Sequence, residues 1–427
     1  MRNRKVAALA AALALTQAGG AAAGDRYVRA GKLFDPESGK TATDQLIKIS
    51  GDRVASIGPW REGPLDAPLT DWSRFTVLPG LTDMHTHLGD WGQTANPAEP
   101  LMHSAAEVAL MGAANARATL EAGFTSVHDV GCYRAFTDVA LRDAIRAGRV
   151  PGPRMNCVGA YITCPGGGGE VTGCAGDVIV PPDMRMGVIR NAAEAREKTN
   201  LMFQRGADTI KIIATGAVLT EGTEPGILEV TEEEMRAVVQ EATAHGSYAT
   251  AHAHGAAGIK AAIRAGCRSI EHASLIDDEG LTLARDHNIT LVMDIYNGDY
   301  IEQFGRKNGW PEGHLRKNRE TTDIQRDRFR KAVQMGIPIA FGTDAAVIPH
   351  GTNAKQFAYM TRFGMTPAQA IQAATTVAAR TLGTSADAGS LAPGHYADMI
   401  AVEGDPTSDI SLLERVAHVI KGGDLVK

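Results

Sequence analysis

Two His-x-His pairs stand far apart in this chain, His85-Thr86-His87 and His252-Ala253-His254. On a strand, residues i and i+2 point to the same side, so each pair can aim both imidazoles at one point. Neutral imidazoles converging at a strand end are suitable first ligands for a zinc-type cation. Three more candidates follow the same logic: His272 in Ile270-Glu271-His272, Asp344 in Gly342-Thr343-Asp344, and Lys211 inside the apolar run Thr209-Ile210-Lys211-Ile212-Ile213. Singly, each has an ordinary explanation. The histidines could be hydrogen-bonded core residues, Asp344 a helix N-cap, and Lys211 a lysine whose head reaches water. Jointly they make a metal-ligand set. Lys211 has a place in it because desolvation lowers the pKa of a buried lysine and leaves a neutral amine. Such an amine can add carbon dioxide to give an anionic carbamate, whose two oxygens can each hold one metal.

These residues need elements to bring them together. From about residue 77 to 383 the chain alternates strand-like and helical runs. The apolar stretch from Val77 into His87 reads as the first strand, and Tyr248 to His252, Ser269 to His272, Thr290 to Met293 and Pro338 to Phe341 read as later ones. Capping boxes at Thr231/Glu234 and at Thr366/Gln369, the latter with Pro367 in the first turn, mark helix starts. Eight strands with intervening helices predict a (β/α)8 TIM-type barrel in preference to an open sheet. In that frame His85 and His87 end the first strand, Lys211 lies in the fourth, His252 ends the fifth, His272 the sixth, and Asp344 follows the eighth. Barrels place their chemistry at these C-terminal strand ends. Residues 24–76 and 384–427 instead hold short β-like pieces among turn residues, which predicts a small β-sandwich domain formed from both chain ends.

The rest of the composition excludes other functions. A formal net charge of −6 with mixed signs offers no footprint for nucleic acid. Residues 1–23 read as a signal peptide: Arg2, Arg4 and Lys5 precede the apolar Val6 to Leu15, and Ala21-Ala22-Ala23 is a small-residue cleavage site. The apolar stretch is too short to span a bilayer. The expected mature protein is periplasmic or secreted and free of the membrane. Five cysteines are too few for a disulfide scaffold. Cys164 and Cys174 bracket one glycine-rich loop and are either a disulfide or free thiols. The run Gly166 to Gly169 lacks the Lys-Ser/Thr ending of a phosphate-binding loop.

The motifs Leu78-Pro79-Gly80-Leu81-Thr82-Asp83-Met84-His85-Thr86-His87, Ile210-Lys211, His252-Ala253-His254-Gly255, Ile270-Glu271-His272 and Gly342-Thr343-Asp344 resemble those of the amidohydrolase superfamily. Within it the chain resembles the prolidase-type metal-dependent carboxypeptidase and dipeptidase group that includes ochratoxinase. The resemblance implies a binuclear zinc site. His85, His87 and Asp344 would bind the more buried Zn2+, His252 and His272 the more exposed one, and Lys211, as N6-carboxylysine, would bridge them. It also implies that His254 faces the substrate carbonyl, that Tyr296 touches substrate, and that the protein is a homo-oligomer. Tyr296 has a second reading, as an aromatic closing the barrel mouth. The implied substrate is a small-molecule amide or dipeptide. The bond cut lies before the C-terminal residue of a dipeptide or N-acyl amino acid, ochratoxin-like amides included. A metal-bridging hydroxide would attack, with Asp344 carrying the proton and His254 steadying the oxyanion. Two departures leave substrate preference open. Relatives often carry a histidine where this chain has Thr163 to Gly169, and arginine where it has His128 before Asp129. A cyclic-amide hydrolase, an imidazolonepropionase-like aminohydrolase and a non-catalytic metal-binding relative remain as alternatives.

Overall fold

The computed structural model describes residues 24–90, 92, 96 and 98–427, so the signal peptide expected at 1–23 lies outside the described residues. Four strands open the chain: β1 (Arg26–Asp35), β2 (Lys40–Ser50), β3 (Arg53–Pro59) and β4 (Leu69–Pro79). Alternation drives them. Val28 and Ala30 of β1 and Ile47 and Ile49 of β2 are fully buried, while polar neighbours between them point outward.

The apolar run that reads as one strand from Val77 to His87 is in fact divided. Val77, Leu78 and Pro79 end β4, and a new strand, β5 (Leu81–Thr86), begins after Gly80. A side chain at position 80 would lie 2.1 Å from Thr125 Oγ1, so only bare backbone can pass there.

Seven more strands follow β5: β6 (Phe124–Asp129), β7 (Arg154–Cys157), β8 (Ile210–Ile213), β9 (Ala249–Gly255), β10 (Ser269–Leu275), β11 (Thr290–Val292) and β12 (Ile339–Ala340). Every pairing among these eight is parallel, in two arcs ordered β5-β6-β7 and β8 to β12. Backbone hydrogen bonds cross both gaps between the arcs. On one side the Ile162 N–H donates to Lys211 O (2.9 Å) and the Ile213 N–H to Ile162 O (2.8 Å). On the other, Met84 N–H donates to Phe341 O (2.8 Å) and Asp344 N–H to His85 O (2.8 Å).

Helices such as Ala105–Glu121, Glu232–Ala244, Ala256–Ala265 and Glu312–Gln334 connect the strands. Covered strands read as continuous apolar runs, and all four residues of β8 are buried. Both capping boxes form: Thr231 and Glu234 bond reciprocally, as do Thr366 and Gln369, with Pro367 in the first turn.

The chain ends in β13 (Met399–Glu403), β14 (His418–Lys421) and β15 (Asp424–Leu425). β13 runs antiparallel to β4, pairing Met399 with Pro79 and Ala401 with Val77. Both chain ends therefore share one seven-stranded hydrogen-bonded sheet, where the sequence suggested a sandwich. Its core holds Val28, Ile47, Ile49, Trp72, Val77 and Met399. Cys164 and Cys174 are both free thiols. Among the described residues, no helix is long and apolar enough to cross a membrane.

Candidate metal centre

The predicted ligands come together at the C-terminal ends of the parallel strands. His85 Nε2 lies 3.3 Å and His87 Nε2 3.1 Å from Asp344 Oδ1. Across the same cavity, the rings of His252 and His272 are 4.5 Å apart and those of His254 and His272 4.7 Å apart. His85 and His272, 4.8 Å apart, join the two groups. Ligand atoms within each of the triads His85–His87–Asp344 and His252–His254–His272 lie within 4.8 Å of one another.

Lys211 lines this cavity and is 1% exposed, yet its Nζ has no hydrogen-bond partner, nor has His252 Nε2. Orphaned buried polar atoms are costly and rare in native proteins. Burial pushes the Lys211 amine below its ordinary pKa, against the upward pull of Glu271 and Asp344. Burial also pushes His252 and His254 well down, with His272 adding to the effect, so both are neutral imidazoles. An unpartnered amine and neutral imidazoles grouped with a carboxylate are the chemistry that a divalent cation satisfies. The donor set fits a metal.

Four of these imidazoles are oriented through a ring nitrogen, as metal-binding histidines generally are. His85 Nδ1–H donates to Glu271 Oε2 (3.0 Å), His272 Nδ1–H to Asp294 Oδ1 (3.0 Å), and His87 Nδ1–H to Gly131 O (2.8 Å). His254 Nδ1 pairs with Ser274 Oγ at 2.8 Å. Burial works against the Glu271 carboxyl, but Lys211 and His85 hold its pKa at about 2. It is an anion and can only accept.

Backbone strain collects in the same place. His272 (φ 67°) and Asp344 (φ 55°) both sit in the left-handed region, which side-chain-bearing residues seldom occupy except where the surroundings compel them. Next to Asp344, buried Asp83 accepts from Thr343 Oγ1 (2.6 Å), Thr343 N (3.1 Å) and Asn353 Nδ2 (2.8 Å), tying that segment to β5. A side chain at Gly342 would meet Val292 Cγ1 at 2.2 Å and His85 Cβ at 3.1 Å. Gly342→Ala is therefore expected to cost ~1–3 kcal/mol by overpacking and to displace His85. Thermal unfolding and metal content check this; a variant matching the parent in both would show that the strand ends can part without consequence.

Tyr296 does not line the cavity. Its N–H donates to Gln356 Oε1 (3.0 Å), and its ring packs on Tyr359 (5.2 Å) and Tyr300 (6.4 Å). Its neighbour Asn297 lines the cavity instead. Two tyrosines that the sequence reading passed over, Tyr133 and Tyr161, line it as well, and Tyr161 Oη lies 3.2 Å from His87 Nδ1. Tyr161 follows the end of β7 and Asp294 the end of β11, so the strand-end rule that found the histidines applies to both. His128 lies within β6 and bonds Thr209 Oγ1 at 3.0 Å without lining the cavity; burial pushes its pKa to about 3. Gly168 and Gly169, from the loop after β7, do line it.

The sequence profile of the Amidohydrolase family matches residues 76–426. Ochratoxinase from Aspergillus niger is 32% identical over 423 residues, covering 92% of this chain and 85% of that protein. A crystal structure of a Xaa-Pro dipeptidase with methionine bound in its active site superimposes with a TM-score of 0.88. It is 36% identical and covers 94% of this chain and 99% of its own. The crystal structure of A. niger ochratoxinase gives a TM-score of 0.81 at 28% identity, covering 95% and 96%.

Proposed function

The chain belongs to the amidohydrolase family and is a hydrolase, and from that premise we propose that it is a binuclear metal enzyme acting on small amides. The bond cut is the amide before the C-terminal residue of a dipeptide or N-acyl amino acid. One observation carries the binuclear reading: a fully buried amine without a partner, Lys211 Nζ, lines the same cavity as two histidine groups. His85, His87 and Asp344 would hold one Zn2+, and His252 and His272 the other. Lys211, as its carbamate, would serve both. Bonds across both gaps between the strand arcs support closure into a (β/α)8 barrel around this centre.

When bound, the metal pair would supply Lewis-acid polarisation and a water of lowered pKa. The chain's own groups supply the proton handling. Burial alone would raise the Asp344 carboxyl, yet His85 and His87 hold it well below the usual carboxylate range. It is therefore an anion that can take a proton from the attacking water and deliver it to the departing amine. The contact between His254 Nδ1 and Ser274 Oγ holds the ring, and in the tautomer with its proton on Nε2 neutral His254 can donate to the carbonyl oxygen as charge develops there. Tyr133, Tyr161 and Leu219 give the cavity walls apolar surface.

Elemental analysis, together with amine release from a panel of dipeptides, N-acyl amino acids and ochratoxin-like amides, tests the proposal. About two metals per chain and turnover of the linear amides are expected; turnover confined to cyclic amides, or none, would refute it. We further propose export with cleavage near Gly24, on the charge and apolar pattern of residues 1–23, and assembly as a homo-oligomer. A mature N-terminus at Met1 would refute the first, and a light-scattering mass of one chain the second.

A further inference from the structure

We propose that Gln325 is a positioning residue for the centre, holding both the backbone and the ring of His272. This role rests on the metal-centre reading above. Gln325 lies on the long helix Glu312–Gln334, 7% exposed. Its Nε2 donates to His272 O (3.0 Å) and to Asp294 Oδ1 (3.0 Å). Both hydrogens of one amide group are thus committed, one to the backbone of the histidine and one to the carboxylate that orients its ring.

The backbone half matters because His272 leaves the strand ladder. The β9–β10 pairing shifts register just after His272, and the residue turns to φ 67°. A carbonyl turned out of a ladder needs another donor, and Gln325 provides it. The ring half runs through Asp294. Its Oδ1 accepts a hydrogen bond from His272 Nδ1–H at 3.0 Å, which leaves Nε2 as the nitrogen of that ring free for a cation. Asn297 Nδ2 holds the other oxygen at 3.0 Å. From a second helix, Lys355–Arg362, Gln356 clamps the segment carrying Asp294. It donates to Met293 O (2.7 Å) and accepts from Tyr296 N (3.0 Å). Two outer helices thus set the position of one inner ligand.

Since Gln325 also lines the cavity, the experiment must separate positioning from substrate contact. Gln325→Leu and Gln325→Glu are compared with the parent by chelator-competition titration with Co2+ alone, by the visible spectrum of the cobalt protein, and by kcat and KM. For both variants one of the two metal equivalents is expected to weaken about 10- to 100-fold, the loss typical for an outer partner of a ligand. The cobalt spectrum should change, kcat should fall, and KM should stay within about threefold. Parent metal affinity and parent spectrum with only KM raised would overturn the proposal and make Gln325 a substrate contact.

If the Gln325 variants do not fold, Asp294→Ala and Asp294→Asn carry the test. Asn297 Oδ1 has no partner, so Asn297 can turn its amide to meet a new amide at 294, leaving an oxygen on His272 and Gln325. The asparagine variant should therefore keep more of the second metal than the alanine variant. Parent-like metal binding by Asp294→Ala would overturn the proposal. A parent chain that takes up no Co2+ would refute the proposed function itself, and this role with it.

Discussion

Lys211→Ala is expected to lose most of its bound metal and at least about a thousandfold in kcat/KM. Losing an outer partner of a ligand already costs about 10- to 100-fold in metal affinity; a ligand shared by two ions should cost more. Lys211 is the one lysine among the described residues that line the cavity. Lys211→Met sharpens the test. It fills a similar volume without the buried amine, so the metal-free fold should be no less stable than the parent, as burial of the amine is itself unfavourable. Metal should still be lost. Short carboxylic acids added to the alanine variant should restore part of the activity by supplying two oxygens in the vacated space. Two metals per chain and normal turnover in either variant would remove the bridge from the mechanism.

Asp344→Asn is expected to lower kcat by ~10²–10⁴-fold, the usual worth of positioned acid–base catalysis, while keeping the fold. Asparagine is among the few residues that accept the left-handed conformation readily, so the φ of 55° at this position should survive. The amide retains one oxygen for His85 and His87 but cannot carry the proton. Metal stoichiometry measured beside kcat decides the outcome. Both metals with undiminished turnover would place the proton carrier elsewhere, and His254 would be next, since His128 is tied to Thr209 away from the cavity. A variant without metal would show that Asp344 matters first as a ligand.

That these candidate ligands gather in one place was legible because few residue types can do this chemistry and because a parallel strand order gathers strand ends on one face. His85, His87, Lys211, His252, His272 and Asp344 all line one cavity for that reason. Helix starts were legible too, since a capping box is a local device: Thr231 needs only Glu234, three residues on. What escaped depends on contacts between distant residues. The break at Gly80 is dictated by Thr125 on a neighbouring strand and by β13 at the far end of the chain; the apolar run itself gives no sign of it. The ring of Tyr296 packs on Tyr359, 63 residues later, and does not line the cavity. Glu271 and Asp294 carry no pattern of their own. Carboxylates next to histidines are common, and only the fold shows that Glu271 reaches His85 in β5 and not its neighbour His272.

The pairing of β4 with β13 also sets an order of events during synthesis. Pro79 and Met399 are partners about 320 residues apart, so the strand leading into the first histidine pair stays half-paired until nearly the whole chain has left the ribosome. Contacts of such long sequence separation form late and slowly. The parallel strands β5 to β12 can assemble before then, but β4, which leads into them, gains its second partner last. A chain stopped short of Met399 would leave the β4 edge bare, with Val77 and Leu78 open to strand exchange and aggregation. Completion of this sheet is in this sense a final step of maturation, timed by the C-terminus.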